Sequence, residues 1–520
     1  MTRRVPGPSD HVVVVGAGLS GLSAALHLLG AGRRVTLLER ADHPGGRAGR
    51  LDLRTEHGDY LVDPGPTVLT MPSLLDEAFA AVGEKAADRL DLVELDPAYR
   101  THFADGSTID VRTDAEAMED EVRRVCGPAS AQGYRRLRRW LTDLYRAEID
   151  SFIGANMDGP LSLVGPDLAR LAALGGFGRL GPRVAAMVPD ERLQRIFSFQ
   201  ALYAGVPPHR ALGAYGVIAY MDTVGGVHFP RGGMRQVGAA LADAAAAAGA
   251  EIGYDRTVTG LERRGGRVVA VRHRDTADPA GPSERIECDA VVLTPDLPVV
   301  HQLLGRAPRR PVRLRYSPSA VVLHAGLTTA RPEAAHHTIS FGRAWESTFR
   351  EIITDGKLMS DPSLLVTRPT ATDPGLAPPG RDLLFVLAPC PNTERGPIDW
   401  ARVGPAYRDE LLAELDRRGH PGLTGIAGDV EVSRLVTPAD WAAQGMAAGT
   451  PFSAAHTFAQ TGPFRPRNLV RGLENAVLAG CGTTPGVGIP PVLISGRLAA
   501  QRICGPSRTR ARGRRVPTTG

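Results

Sequence analysis

The chain has 520 residues, 43% hydrophobic and 22% charged. That is a length of about two to four domain-sized units, with ample material for a core. Setting aside the five arginines after Pro506, the 56 remaining basic residues match the 56 acidic ones, so no basic stripe for nucleic acid is expected. No apolar run reaches the ~20 residues of a membrane span, and five scattered cysteines without a Cys-x-x-Cys pair exclude a zinc ribbon, a disulfide scaffold and a dithiol reductase.

The N-terminus predicts no signal peptide: Arg3 and Arg4 precede Pro6, Ser9 and Asp10 rather than an apolar region. A reduced, cytoplasmic protein fits this reading. Val12–Val15 is a β-branched run, predicted as a central strand, that leads straight into Gly16-Ala17-Gly18-Leu19-Ser20-Gly21. Leu22, Ala25, Leu26 and Leu29 then recur at helical spacing. Strand, glycine loop and helix together form the context that a dinucleotide fingerprint requires. Gly16 permits the tight turn, Gly18 lets backbone approach a pyrophosphate, Gly21 lets helix and strand pack closely, and the helix N-terminus offers amide hydrogens to phosphate. A second strand, Val35–Leu38, ends at Glu39, placed to accept both ribose hydroxyls. Pro44-Gly45-Gly46-Arg47 follows, and in this position favours FAD over NAD. Arg47 is open to two readings, neutralising pyrophosphate or holding a structural ion pair.

Further on, Gly- and Pro-rich loops are expected near 155–166, 205–210, 275–284 and 372–380. Gly238–Ala250 is predicted as a helix, and Glu251-Ile252, Arg267–Arg272 and Val291–Leu293 as strands. This alternation predicts α/β units with parallel pairing. A last strand, Ala476–Ala479, enters the loop from Gly480 to Pro491, and Ile494 and Leu498 continue it as a helix. Proline suits a first helical turn, and such an N-terminus can stabilise negative charge on a reduced flavin.

Taken with these features, several ordered segments resemble the bacterial phytoene desaturases of carotenoid biosynthesis. They are Asp63-Pro64-Gly65-Pro66-Thr67-Val68, Phe197-Ser198-Phe199, Phe229-Pro230-Arg231-Gly232-Gly233-Met234, Asp373-Pro374 with Leu376 to Gly380, Ala455-His456-Thr457 with Gln460-Thr461 and Phe464-Arg465-Pro466, and the C-terminal loop. Cys481, Thr484 and Pro491 stand where that family commonly has Ala, His and Gly, so a family histidine at 484 is not essential here. The lack of an acidic residue beside Cys481 argues against the amine oxidases themselves.

The resemblance implies an amine-oxidase-like α/β flavoprotein. Residues 1–100, 225–300 and 455–505 would form a discontinuous Rossmann-like FAD domain, and 101–224 with 301–454 an α+β substrate and membrane-docking domain. A basic disordered tail would run over 506–520, either as solvated charge or drawn to anionic lipid. The cofactor set implied is Gly16, Ala17, Gly18, Ser20, Gly21, Glu39, Arg40, Gly45, Gly46, Arg47, Gly65, Pro66, Thr67, Val258, Gly480, Gly482, Gly488 and Ile489, with no metal. The implied reaction is successive dehydrogenation of phytoene towards lycopene, with hydride passing to flavin N5 and electrons passing on to a quinone or oxygen. Related readings are a carotenoid isomerase, a ketolase or a desaturase of another polyene.

Asp167 and Arg170 are candidates for proton transfer because residues three apart share a helix face, and His456 is a third candidate. A surface ion pair and a structural histidine are the competing readings. Leu161–Val188 reads either as a docking surface at the inner face of the cell membrane or as a packed helical pair.

Overall fold

The computed structural model describes residues 2–308, 310 and 312–506; the predicted tail beyond residue 506 lies outside them. A five-stranded parallel sheet runs in the order Ala476–Leu478, Ala290–Leu293, His11–Val15, Arg34–Leu38, Glu251–Gly253. The valines of the His11–Val15 strand are fully or almost fully buried, as a strand covered on both faces requires. Numbered along the chain, the order is 3-2-1-4-5, the doubly wound arrangement that opens a crevice at the carboxyl end of its first strand. The sheet thus draws on three distant stretches of sequence.

Helix Leu19–Gly30 packs on helix Ile489–Cys504 and on helix Arg235–Ala247. The first crossing is close: a Cβ on Gly496 would fall 2.3 Å from the Ser20 carbonyl oxygen. An antiparallel meander, Arg256–Arg264, Arg267–Asp275 and Glu284–Glu287, lies beside the sheet. The expected helix over 238–250 is displaced to 235–247. Its start is drawn forward because the Asp63 carboxylate accepts the Met234 and Arg235 amide hydrogens, at 2.8 and 3.1 Å. Its end is set by Gly249, which takes φ +95°.

A seven-stranded sheet is built from Val430–Val436, Ser319–Leu327, Asp382–Cys390, Leu364–Thr367, His337–Ser340, Tyr99–His102 and Thr108–Val111, in that order. Pairing is antiparallel except between His337–Ser340 and Tyr99–His102. Against it lies a helical segment led by Ala115–Glu148, broken at Gly127 (φ +83°) ahead of Pro128. Asp114 caps that long helix by accepting the Glu116 and Ala117 amide hydrogens. Among the described residues, no helix is long and apolar enough to cross a membrane.

Candidate flavin and substrate site

The first glycine loop is fixed by contacts that exclude side chains. Gly16 sits at φ +102°, and a Cβ there would fall 2.4 Å from Thr294 Oγ1. A Cβ on Gly21 would meet the Gly16 carbonyl oxygen at 2.0 Å. The Gly45-Gly46 turn closes over the same loop: the Gly45 amide donates to the Ala17 carbonyl at 2.8 Å. A Cβ on Gly46 would lie 3.0 Å from the Gly18 Cα. Gly65 in turn backs onto Arg47, whose carbonyl oxygen a Cβ would meet at 2.1 Å.

Helix Leu19–Gly30 begins on Gly18 and helix Ile489–Cys504 on Gly488, each without a side-chain cap or an acidic residue in its first turn. By contrast, the helices that begin on Asp114, Asp190, Asp296 and Asp399 have a side chain that takes their first amide hydrogens. The two glycine-started ends leave their amide hydrogens and positive partial charge for an anion. The loop that leads to the second end lies beside the first: a Cβ on Gly480 would lie 3.3 Å from Ser20 Oγ.

Glu39 is buried at the end of its strand. One carboxylate oxygen accepts the Ala17 amide hydrogen at 2.7 Å and the other that of Ala41 at 2.9 Å. Each oxygen keeps a further lone pair for a hydroxyl. Arg40 points away, donating to the Gln444 carbonyl at 2.9 Å on the surface. Arg47 forms an ion pair with buried Asp296 at 2.8 Å and donates to Cys481 Sγ, tying the Gly-Gly-Arg turn to the C-terminal loop. Thr67 is buried and accepts from Thr367 Oγ1 at 3.1 Å, with Pro66 half-buried before it. Val258 packs half-buried on the meander against the core that includes Leu38. In the C-terminal loop, Gly480 and Gly488 take φ +104° and +115°. Ser495 Oγ accepts the Gly480 amide hydrogen at 3.0 Å and donates to the Thr484 carbonyl at 2.8 Å. Gly482 packs on Leu297, and Ile489 is buried.

Sequence segments singled out separately meet here. Asp63 joins Met234 as described, and Asp373 accepts the Gly232 amide hydrogen at 2.7 Å. Arg465 is 1% exposed and donates to the carbonyls of Thr483, Ala454 and Cys481, at 2.9, 3.1 and 2.8 Å. Burial lowers its pKa to about 10. His456 stands edge-on to Tyr215, with ring centroids 5.4 Å apart, and its Cε1 occupies the space a Cβ on Gly486 would need. Burial first, then the Arg465 charge, holds the imidazole well below its usual pKa, so it is neutral. Tyr215 donates to Thr461 Oγ1 at 2.5 Å.

The expected Asp167–Arg170 pair is not formed. The short helix Pro166–Ala173 lies against the long helix, and Arg170, exposed, turns to Asp143 at 3.5 Å. Asp167 instead accepts from Ser151 Oγ. The sequence reading passed over Asp296, which the Asp-Leu-Pro helix start could have revealed. It also passed over Tyr215 and Glu148, for which no local signal exists.

The glycine cradle, the two uncapped helix ends and Glu39 fit a flavin dinucleotide: bare backbone for pyrophosphate, amide hydrogens for its charge, a carboxylate for ribose. The family model of flavin-containing amine oxidoreductases matches residues 19–504. The chain is 66% identical to a phytoene dehydrogenase of Streptomyces griseus over 98% of this chain and 97% of that one. It is 35% identical to a zeta-carotene-forming phytoene desaturase of Myxococcus xanthus, covering 95% of this chain and 93% of the relative. Against a lycopene-forming phytoene desaturase of a Paracoccus species it is 33% identical, covering 94% and 96%. A solved putrescine oxidase shares the fold, with a TM-score of 0.58 at 14% identity, covering 96% of this chain and 98% of that one. The cofactor is FAD, and the chain belongs to the flavin-containing amine oxidoreductases and, within them, to the bacterial phytoene desaturases.

Proposed function

We propose that the chain is an FAD-dependent phytoene desaturase that removes hydrogen pairs from a carotene and lengthens its conjugated system. The observation that carries this reading is the 66% identity to the Streptomyces griseus phytoene dehydrogenase over nearly the whole of both chains. When bound, FAD supplies the hydride acceptor. The chain's own contribution is placement. The glycine loops and Glu39 hold the dinucleotide, and Arg47 with Asp296 clamps the two loops to each other. The aromatic groups Tyr99, Phe199, Phe341 and Phe103, packed ring to ring between the helical segment and the large sheet, keep that interior dry for a hydrocarbon. We assign the parallel sheet with its helices to FAD and the seven-stranded sheet with the 101–224 segment to substrate.

A polyene must be drawn from lipid, and one surface is suited to that. Leu161 and Val164 are 86% and 74% exposed, Phe458 and Phe464 59% and 42%. The turns Pro160–Leu163 and Gly462–Phe464, which carry Leu161 and Phe464, touch, and the rings of Phe458 and Phe464 lie 5.9 Å apart. A clustered apolar patch of this kind fits docking at a membrane interface. Of the large apolar side chains in Leu161–Val188, Leu161, Val164 and Phe177 are exposed, whereas Leu171, Leu180, Val184 and Val188 are buried. The electron acceptor in this reading is a quinone or oxygen.

The test is anaerobic incubation of the FAD-loaded protein with phytoene-loaded liposomes and a quinone, followed by mass detection. Products lighter by successive hydrogen pairs are expected. Products of unchanged mass with altered retention would replace the reading by an isomerase.

A further inference from the structure

Dehydrogenation of a carbon pair releases a proton as well as a hydride, and no residue described so far takes it. The long helix Ala115–Glu148 ends on a glutamate that is 6% exposed. Its Oε1 has no hydrogen-bond partner, and among the described residues the carboxyl makes no ion pair. Buried carboxyls in soluble proteins are nearly always partnered. Glu39 takes two amide hydrogens, Asp63 two more, and Asp296 pairs with Arg47; Asp222, buried on the neighbouring helix Gly216–Thr223, is a second carboxyl with an oxygen, Oδ2, that lacks a partner.

Its position is fixed by packing. A Cβ on Gly216 would fall 2.9 Å from Trp140 and 3.0 Å from Leu144. Residues 140, 144 and 148 follow one another at four-residue steps on one helix face, and Tyr215, immediately before Gly216, is close enough to Glu148 that, after burial, the carboxylate charge adds to the rise of its pKa. Tyr215 touches His456, and His456 fills the space over Gly486 in the C-terminal loop. Beyond Glu148 the backbone widens into a π-helical turn, Ile149–Ile153, a distortion often found at functional sites.

We infer that Glu148 is the proton acceptor of the desaturation, resting on the reading of the chain as a phytoene desaturase. One substrate carbon gives its proton to a Glu148 carboxylate oxygen. The electron pair of that C–H bond becomes the second bond of the new C=C. The adjacent carbon's hydrogen leaves with its electron pair, as hydride, to the flavin. Glu148 returns its proton to solvent between turnovers, and the electron pair leaves through the quinone or oxygen acceptor. Around this corner stand Tyr215 from the segment before helix Gly216–Thr223, and His456 and Arg465 from the C-terminal segment. The imidazole is neutral, the tyrosine hydroxyl is bound to Thr461, and Arg465 is committed to backbone carbonyls. None of them pairs with the carboxyl. Burial alone raises the Glu148 pKa well above the ordinary value of 4.5, so the carboxylate required for proton uptake becomes populated as pH rises.

The experiment is anaerobic single-turnover bleaching of the bound flavin by phytoene liposomes, in the wild type, Glu148→Gln and Glu148→Asp, across pH. The expected result is a wild-type rate that rises with pH. Glu148→Gln would be slower by about 10²–10⁴-fold and flat in pH, and Glu148→Asp would keep the pH limb. The Glu148→Gln variant should bind flavin with an unchanged spectrum and unfold at no lower temperature, because no partner is lost. With no substrate needed, and at a pH above the range in which Asp63 and Asp222 hold their protons, the infrared carbonyl stretch of a protonated carboxyl should be present in the wild type and missing from Glu148→Gln. A Glu148→Gln rate equal to wild type, or a retained pH limb, would overturn the inference. Loss of flavin or a lower unfolding temperature would assign Glu148 to the fold and overturn it equally. Wild-type flavin that phytoene cannot bleach would bring down the functional reading itself.

Discussion

The dinucleotide cradle and the corner around Glu148 are built on opposite plans. In the cradle, function rests on backbone: glycines that admit no Cβ, amide hydrogens at two helix ends, and one carboxylate already braced by the Ala17 and Ala41 amides. In the corner, function rests on side chains from three distant segments, among them a buried acid whose Oε1 lacks a partner. The first plan tolerates little substitution because each contact is both structural and functional. The second separates the two, since an orphan polar group costs stability where it sits. Changes in the cradle should therefore damage fold and binding together, while removal of the Glu148 charge should damage chemistry alone.

The largest effect expected from breaking the first plan is Gly21→Val. Its Cβ would collide with the Gly16 carbonyl at 2.0 Å, and with backbone on both sides nothing can yield. The protein should lose bound flavin and stable folding together, read by flavin absorbance and thermal unfolding. Arg465→Met comes next. It strips hydrogen bonds from three buried carbonyls around the C-terminal loop, at a cost of roughly 3 kcal/mol or more from groups left unsatisfied, seen as a fall in unfolding temperature. On the apolar surface, Leu161→Asp with Phe458→Asp should weaken co-sedimentation with liposomes by about 10-fold or more, each large side chain contributing ~1.5–3 kcal/mol when buried. Flavin content should be unchanged, and equal sedimentation would remove the patch from the account. The smallest effect is a pH slope from Asp63. Burial outweighs its two amide hydrogen bonds and lifts its carboxyl from 3.8 to about 6. Across that interval the folded chain holds a proton the unfolded chain has released. Stability should therefore fall as pH rises from 3.8 to about 6 and level off above it. Asp63→Asn should flatten that slope in a titration of unfolding temperature.

What the sequence disclosed follows the same division. The cradle was legible because strand, Gly16–Gly21 loop and helix are contiguous, and the glycine spacing states its own steric reason. The strands at residues 35–38 and 291–293 carried β-branched or apolar runs, and they and Glu251-Ile252 fell where expected. The seven-stranded sheet was not legible. Ser319–Leu327 is buried at every residue, so it shows none of the alternation that marks a half-exposed strand. Spacing misled at Asp167 and Arg170: a shared helix face is a local property, but their partners, Ser151 and Asp143, come from the preceding helix and the turn that ends it. Glu148 was invisible for a related reason. Its significance is the absence of a hydrogen-bond partner, which exists only once the chain has folded around it.

The most direct test of the central claim is the anaerobic encounter of the FAD-loaded protein with phytoene in liposomes, following flavin absorbance and product mass in the same sample. The account predicts that the flavin band bleaches while one hydrogen pair is lost from the carotene for each flavin reduced, with red-shifted absorbance. A flavin band that stays oxidised, with phytoene recovered at its original mass, would contradict it.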